Sequence, residues 1–336
     1  MRNKFIICAF ILGNSLCFAQ AQTSSNYKIV NKIHLDGDQK WDLLFSDDQA
    51  GRLYVSHGDR VQVVDEAKGE LVGQVLGLKG VHGIAVAPEF NKGFISTKND
   101  NMVTIFDTRT FETLKTVAVG KSPDAILYDA FSKKVFVFNG HSNNANVIDP
   151  SNNNMVATVD FTGNPELSVT DGKGKIYVNL ESASAIAVIN STTYKVEHVW
   201  PIAPGEEPTG LALDNETQRL FTVCANKLMM VLNAENGAVI TKLPIGGKAD
   251  GAAFDPVLKR AYSSNGEGTL TIVQESTGDK FSVIETLPTQ TGAKTIAINQ
   301  LTHHVYLPTA NSEPVQAGEK SKLAPGSFIV LDIMAQ

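Results

Sequence analysis

The residues of this chain best equipped for chemistry are His57, His82 and His141, the carboxylates Asp124, Glu166, Glu207 and Asp250, the amides Asn139 and Asn265, and Lys294. Imidazole nitrogens and carboxylate oxygens that converge on one point hold a divalent ion; the same groups mixed with an amine hold a polar or cationic organic ligand. The residue types alone do not choose between these. The candidates run from residue 57 to residue 294 and share no catalytic motif, so they act together only if the fold gathers them on one face.

A repeat supplies that fold. A β-rich triplet with a central aromatic recurs at Tyr54, Phe94, Phe136, Tyr177, Phe221, Tyr262 and Tyr306, in steps of 40, 42, 41, 44, 41 and 44 residues. About 12 residues before each aromatic lies a strand of small and apolar residues, such as Ile84-Ala85-Val86 or Ala252-Ala253-Phe254. About 11 residues after it, a third strand ends on Asp65, Asp107, Asp149, Asn190, Asn233, Gln274 or Asp332. Asp and Asn bond their own backbone two residues on, which starts the hairpin into a fourth strand. Four short antiparallel strands at a period near 42 predict an all-β, seven-bladed β-propeller with four-stranded blades. The small residues Ala85, Ser168, Ala212, Ala253 and Ala297 suit strands crowded around the axis. The last repeat lacks a fourth strand and the first is preceded by a spare one, Tyr27 to Leu35, which predicts a ring closed by the N-terminal strand completing the last blade.

In such a ring the loops entering the innermost strands share a face with those joining second and third strands. Asp42, His82, Asp124, Glu166, Thr209, Asp250 and Lys294 then stand one per blade around the channel mouth, with His57, Lys98, Asn139, His141, Glu181 and Asn265 in the second set of loops. Taken singly, each is accounted for as a polar residue capping a strand at a wet channel. His303 and His304 look like a metal pair, but fall in a turn on the opposite face, where both are expected to be solvated. Cys224 ends an apolar run and reads as a packed hydrophobe. The insertion from Ala310 to Gly326 is long enough for a lid or a mobile surface loop.

These repeats resemble the YncE-like, YVTN-repeat propellers of bacterial envelopes over essentially the whole chain after residue 21. The matching stretches include Leu53-Tyr54-Val55-Ser56-His57-Gly58, Val81-His82-Gly83-Ile84-Ala85-Val86-Ala87-Pro88, Ser122-Pro123-Asp124-Ala125, Glu207-Pro208-Thr209-Gly210-Leu211-Ala212 and Val305-Tyr306-Leu307-Pro308. The resemblance implies the fold and no agreed catalytic set. Relatives often carry a cysteine near Gly205 paired with one like Cys224; glycine at 205 leaves that bridge out here.

Arg2 and Lys4, an apolar run from Phe5 to Leu16 and Ala19-Gln20-Ala21 read as a cleaved signal peptide over residues 1–21, with residues 22–336 forming the propeller in the periplasm or outside the cell. Leu16 before Cys17 does not suit a lipid anchor, and the apolar run is too short to span a bilayer. Removing the leader leaves 27 Lys and Arg against 35 Asp and Glu, an acidic balance unsuited to nucleic acid. Trp41 and Trp200 do not recur with the blades, so the docking girdle of the large quinone-cofactor propellers is missing. The sequence therefore reads as a monomeric, non-catalytic binding or scaffold propeller without metal or cofactor, recognising a small molecule, peptide or envelope protein across its top face. The alternative is a metal-dependent lactonase or hydrolase built on Asp124, Glu166 and Asp250, with Asn139 or Asn265 reaching in.

Overall fold

The computed structural model describes residues 26–277, 279–313 and 322–336; the expected leader and residues 314–321 of the expected insertion lie outside them. The described residues form seven four-stranded antiparallel sheets, six of them with strands in chain order from the axis outward. The innermost strands are Trp41–Asp47, Val81–Ala87, Pro123–Asp129, Pro165–Thr170, Pro208–Asp214, Ala249–Asp255 and Ala297–Asn299. The second strands are Arg52–His57, Lys92–Thr97, Lys134–Asn139, Lys175–Leu180, Arg219–Cys224, Arg260–Asn265 and His304–Thr309.

The seventh sheet is completed by Tyr27–His34, which pairs antiparallel with Ile329–Ala335, Tyr27 opposite Ala335 and Ile33 opposite Val330. This is the closure the spare strand predicts. It is fastened by side chains: the Tyr27 and Tyr262 hydroxyls lie 2.7 Å apart, and Arg260 donates to the Tyr27 hydroxyl at 2.9 Å. Sheets stacked face to face bury the second strands on both sides, so all seven repeat aromatics are almost wholly buried. Burial of each such side chain contributes about 1.5–3 kcal/mol, which is why the period of the aromatics is the period of the fold.

Asp65, Asp107, Asp149, Asn190 and Asn233 end their strands as expected, their side chains accepting backbone N–H bonds from Lys68, Arg109, Ser151, Thr192 and Glu235. Two positions differ. The strand containing Gln274 runs on to Ser276, because the Gln274 amide donates back to the carbonyls of Leu258 and Lys259 instead of closing a turn. Asp332 lies inside its strand, opposite Asn31, since the N-terminal strand extends the pairing.

His303 and His304 are also corrected. Neither is merely solvated: His303 Nδ1 lies 2.7 Å from Asp255 Oδ2 of the neighbouring blade, and His304 Nδ1 lies 2.6 Å from Asp332 Oδ1.

Candidate metal centre

Six of the seven mouth residues owe their place to the same kind of backbone irregularity. The first residue of an inner strand pairs with the last residue of the second strand, as in Trp41 with His57, Val81 with Thr97 and Pro123 with Asn139. The register then shifts before pairing resumes at Leu44, Ile84 and Ile126. Such a bulge re-aims the side chain it contains. Asp42, His82, Asp124, Glu166 and Thr209 all fall in this interval, and Asp250 falls in the shorter shift between Ala249 and Gly251. Lys294 precedes the short inner strand of the last blade.

Close approach of the blades does the rest. A Cβ on Gly83 would stand 2.7 Å from the backbone oxygen of Asp124, so glycine is what lets the second and third blades meet at this depth. Buried Ser96 bridges the same gap, accepting from the Gly83 N–H at 2.8 Å and donating to the Asp124 carbonyl. Asp42 is held in a like manner: its N–H donates to Ser56 Oγ at 3.0 Å, and its carbonyl accepts from Thr295 Oγ1 at 2.6 Å.

The result is a cluster of three side chains from three consecutive blades. Asp42 Oδ2 is in close contact with His82 Nδ1, and Asp124 Oδ1 lies 3.3 Å from the same nitrogen. One ligand atom from each of Asp42, His82 and Asp124 lies within 4.8 Å of the others. Two metal bonds of ~2.1 Å reach nearly that far, so small side-chain adjustments would let the three share one ion. His82 Nδ1 is buried between the carboxylate oxygens of Asp42 and Asp124. One imidazole and two carboxylates drawn from three blades are a donor set that fits a divalent cation.

Electrostatics at the mouth run against the residues' ordinary values. Burial alone would lower His82, but Asp124 and Asp42 outweigh it and raise the imidazole to about 9. Burial pushes Asp124 up, yet His82, Lys98 and Lys294 hold it below its usual range. Glu166 is raised to about 8, by burial first and then by the charges of Asp124, Glu181 and Asp250. Asp250 is raised by burial, although Lys294, whose ammonium it contacts, opposes the shift. Lys98 Nζ stands 3.7 Å from Asp124 Oδ2.

The fold thus gathers His82, Asp124, Glu166, Asp250 and Lys294 at one rim, and adds Asp42, which the sequence reading placed at the mouth but left out of its site. His57, Asn139 and Asn265 are buried at second-strand ends. His57 bonds Gln62 Oε1 at 3.0 Å and the Gln39 carbonyl at 2.9 Å. Asn139 bonds Asn144 and Asn146, and Asn265 bonds Ser263, Thr269 and Thr271. His141 and Glu207 are exposed in top loops. Cys224 is buried, and burial pushes its thiol up to about 12, in keeping with a packing role.

The expectation of a chain without catalytic or metal-binding equipment is corrected here. The mouth as a whole is mixed in charge, but the Lys294 ammonium contacts Asp250, and Asp42, His82 and Asp124 converge in one sector, where Lys98 approaches Asp124.

Among the described residues no helix is long and apolar enough to cross a membrane. No family model and no curated protein matches the chain. Among solved structures it is similar to Kuenenia stuttgartiensis hydrazine synthase, with a TM-score of 0.70 and 16% identity over 82% of this chain and 94% of that one. With 1855 solved chains matching, likeness of this kind shows the propeller fold and assigns no chemistry.

Proposed function

We propose that this chain is a metal-dependent hydrolase of the lactone- or ester-cleaving kind, with its site at the channel mouth. The observation that carries the reading is the convergence of Asp42, His82 and Asp124. A divalent ion bound there supplies Lewis-acid polarisation of a carbonyl. The two carboxylates balance its charge, and His82 gives up its proton on binding it. In the metal-free site burial, and after it the charges of Asp124, Glu181 and Asp250, raise Glu166 to about 8, and it faces the same mouth. As water adds to the carbonyl carbon and the carbon–oxygen bond breaks, Glu166 donates its proton to the departing alkoxide oxygen, and the carboxylate so formed takes up the proton that the attacking water gives up, which restores the acid. Lys98 places positive charge beside Asp124, where negative charge develops on the substrate.

Export with loss of residues 1–21 and membership of the YVTN-repeat propellers belong to the same proposal, supported by the charged, apolar and small-residue order of the leader and by the repeat motifs.

Calorimetry with Zn²⁺, Mn²⁺ and Ca²⁺, together with hydrolysis of a lactone and aryl-ester panel, tests the activity. At least one ion should bind at micromolar levels or tighter. Asp124→Asn and His82→Gln should each lose that binding and at least about 100-fold in kcat/KM. Hydrolysis unaffected by either substitution, or no binding of any of the three ions by the wild type, would overturn the reading.

A further inference from the structure

Beside the metal centre opens a cavity of about 1090 Å³, large enough for a small organic molecule. Asp42 and His82 line it, so it is continuous with the proposed site, and Trp41, Leu78, Val81 and Leu323 give it an apolar wall.

Its charges do not follow those of the chain, which is acidic overall. Of the lining carboxylates, Asp42 is engaged with His82 and Asp59 with Arg60 at 2.7 Å, while Asp38 accepts the Gly326 N–H at 2.7 Å and keeps its charge. Of the lining cations, Lys294 is engaged with Asp250. Lys40, Lys79 and Lys322 have no carboxylate partner among the described residues. These three lysines outnumber the one carboxylate without a cationic partner, Asp38, so the charge left over at this cavity is positive. The apolar wall includes Trp41, whose ring lies 5.5 Å from that of Phe328.

We propose that this cavity binds an organic anion with a flat apolar body, its carboxylate or similar group held by Lys40, Lys79 and Lys322 and its body laid against Trp41 and Leu78. That this anion is the hydrolase's substrate rests on the reading above; that the cavity prefers an anion does not. The recognition is local, because the net charge of the molecule repels an anion at long range.

The test needs neither metal nor turnover. The full chain, treated with EDTA, is titrated with 2-naphthoate and with neutral 2-naphthalenemethanol, followed by calorimetry. Naphthoate should bind more tightly, by a margin that shrinks as salt is raised. In Lys40→Gln/Lys79→Gln/Lys322→Gln, naphthoate affinity should fall about tenfold to meet that of the alcohol, with the circular dichroism spectrum and melting temperature unchanged. Trp41→Phe should weaken both probes. Equal binding of the two probes, binding of neither, or a naphthoate preference that survives the triple substitution would overturn the proposal. His82→Gln retains the preference if the proposal holds. A protein that prefers naphthoate yet binds no divalent ion sinks the hydrolase reading alone, and one that binds the ion without preferring naphthoate sinks this inference alone.

Discussion

His57 and His82 occupy neighbouring blades and face opposite fates. His82 gains two carboxylates. His57 is sealed against the Phe328 ring, 3.9 Å away between centroids, and burial lowers its pKa below the ordinary 6.5, its bonds to Gln62 and Gln39 opposing. The unfolded chain accepts a proton that the folded chain refuses, so His57's contribution to stability is complete above about pH 6.5 and is lost as pH falls from there toward the lowered folded value. Thermal melts of wild type and His57→Gln between about pH 8 and 5 should show a steeper acid-side fall for the wild type. Parallel curves would exclude His57 as the source. At this scale the sequence was half legible. Ring position could be read for every mouth residue, because the repeat phase carries it. What the phase also contained, that Asp42, His82 and Asp124 stand on consecutive blades, was obscured by weighing the ring's charges together. The fates of His57, Asn139 and Asn265 depend on partners such as Gln39, Asn146 and Thr271, whose approach follows from strand pairing that loop position does not reveal.

Among the elements, the aspartate and asparagine turns were readable because each bonds backbone within two or three residues. The inner-strand bulges were not, since no residue type marks them and they arise from pairing with the second strand. His303 and His304 failed for a related reason: their partners Asp255 and Asp332 are 48 and 28 residues away in sequence. The joint between Gly205 and Cys224 offers a test of second-strand geometry. A Cβ at 205 would stand 2.8 Å from Cys224 Sγ, close to the reach of a bridge, while Met230 Cγ at 2.6 Å must move aside. Gly205→Cys should form the disulfide that the resemblance associates with these positions. Closing that loop adds up to about 3 kcal/mol, less the strain at Met230, so the melting temperature should rise by several degrees in air and return with dithiothreitol. A free thiol at both positions in non-reducing peptide mapping would show that the strand and the preceding loop cannot meet.

For the whole molecule, seven phases of one aromatic and a spare strand sufficed to read both the blade number and the closure. They could not reveal the chemistry, since the residues that repeat are those that build blades, and the convergence of Asp42, His82 and Asp124 rests on residues that do not repeat. The closing strand buries Tyr27 and Ile33 and is followed by buried Leu35. Deleting residues 22–36 should therefore lower the melting temperature by roughly 10 °C or more. An unchanged melt would mean that the last blade stands without its outer strand.

That closure also sets an order of events in time. Tyr27 pairs with Ala335, so the first described strand to be synthesised finds its partner only after about 300 further residues have been made. Until then the strand has no ladder to join and the last sheet has an open edge, the condition under which strands of separate chains pair with one another. A contact of such long sequence separation is slow to form, because the entropy of closing the loop is lost before the contact is gained. The strand that makes the finished ring resistant to edge-to-edge association thus leaves the growing chain most exposed to it, and the hazard ends only when the C-terminal strand arrives.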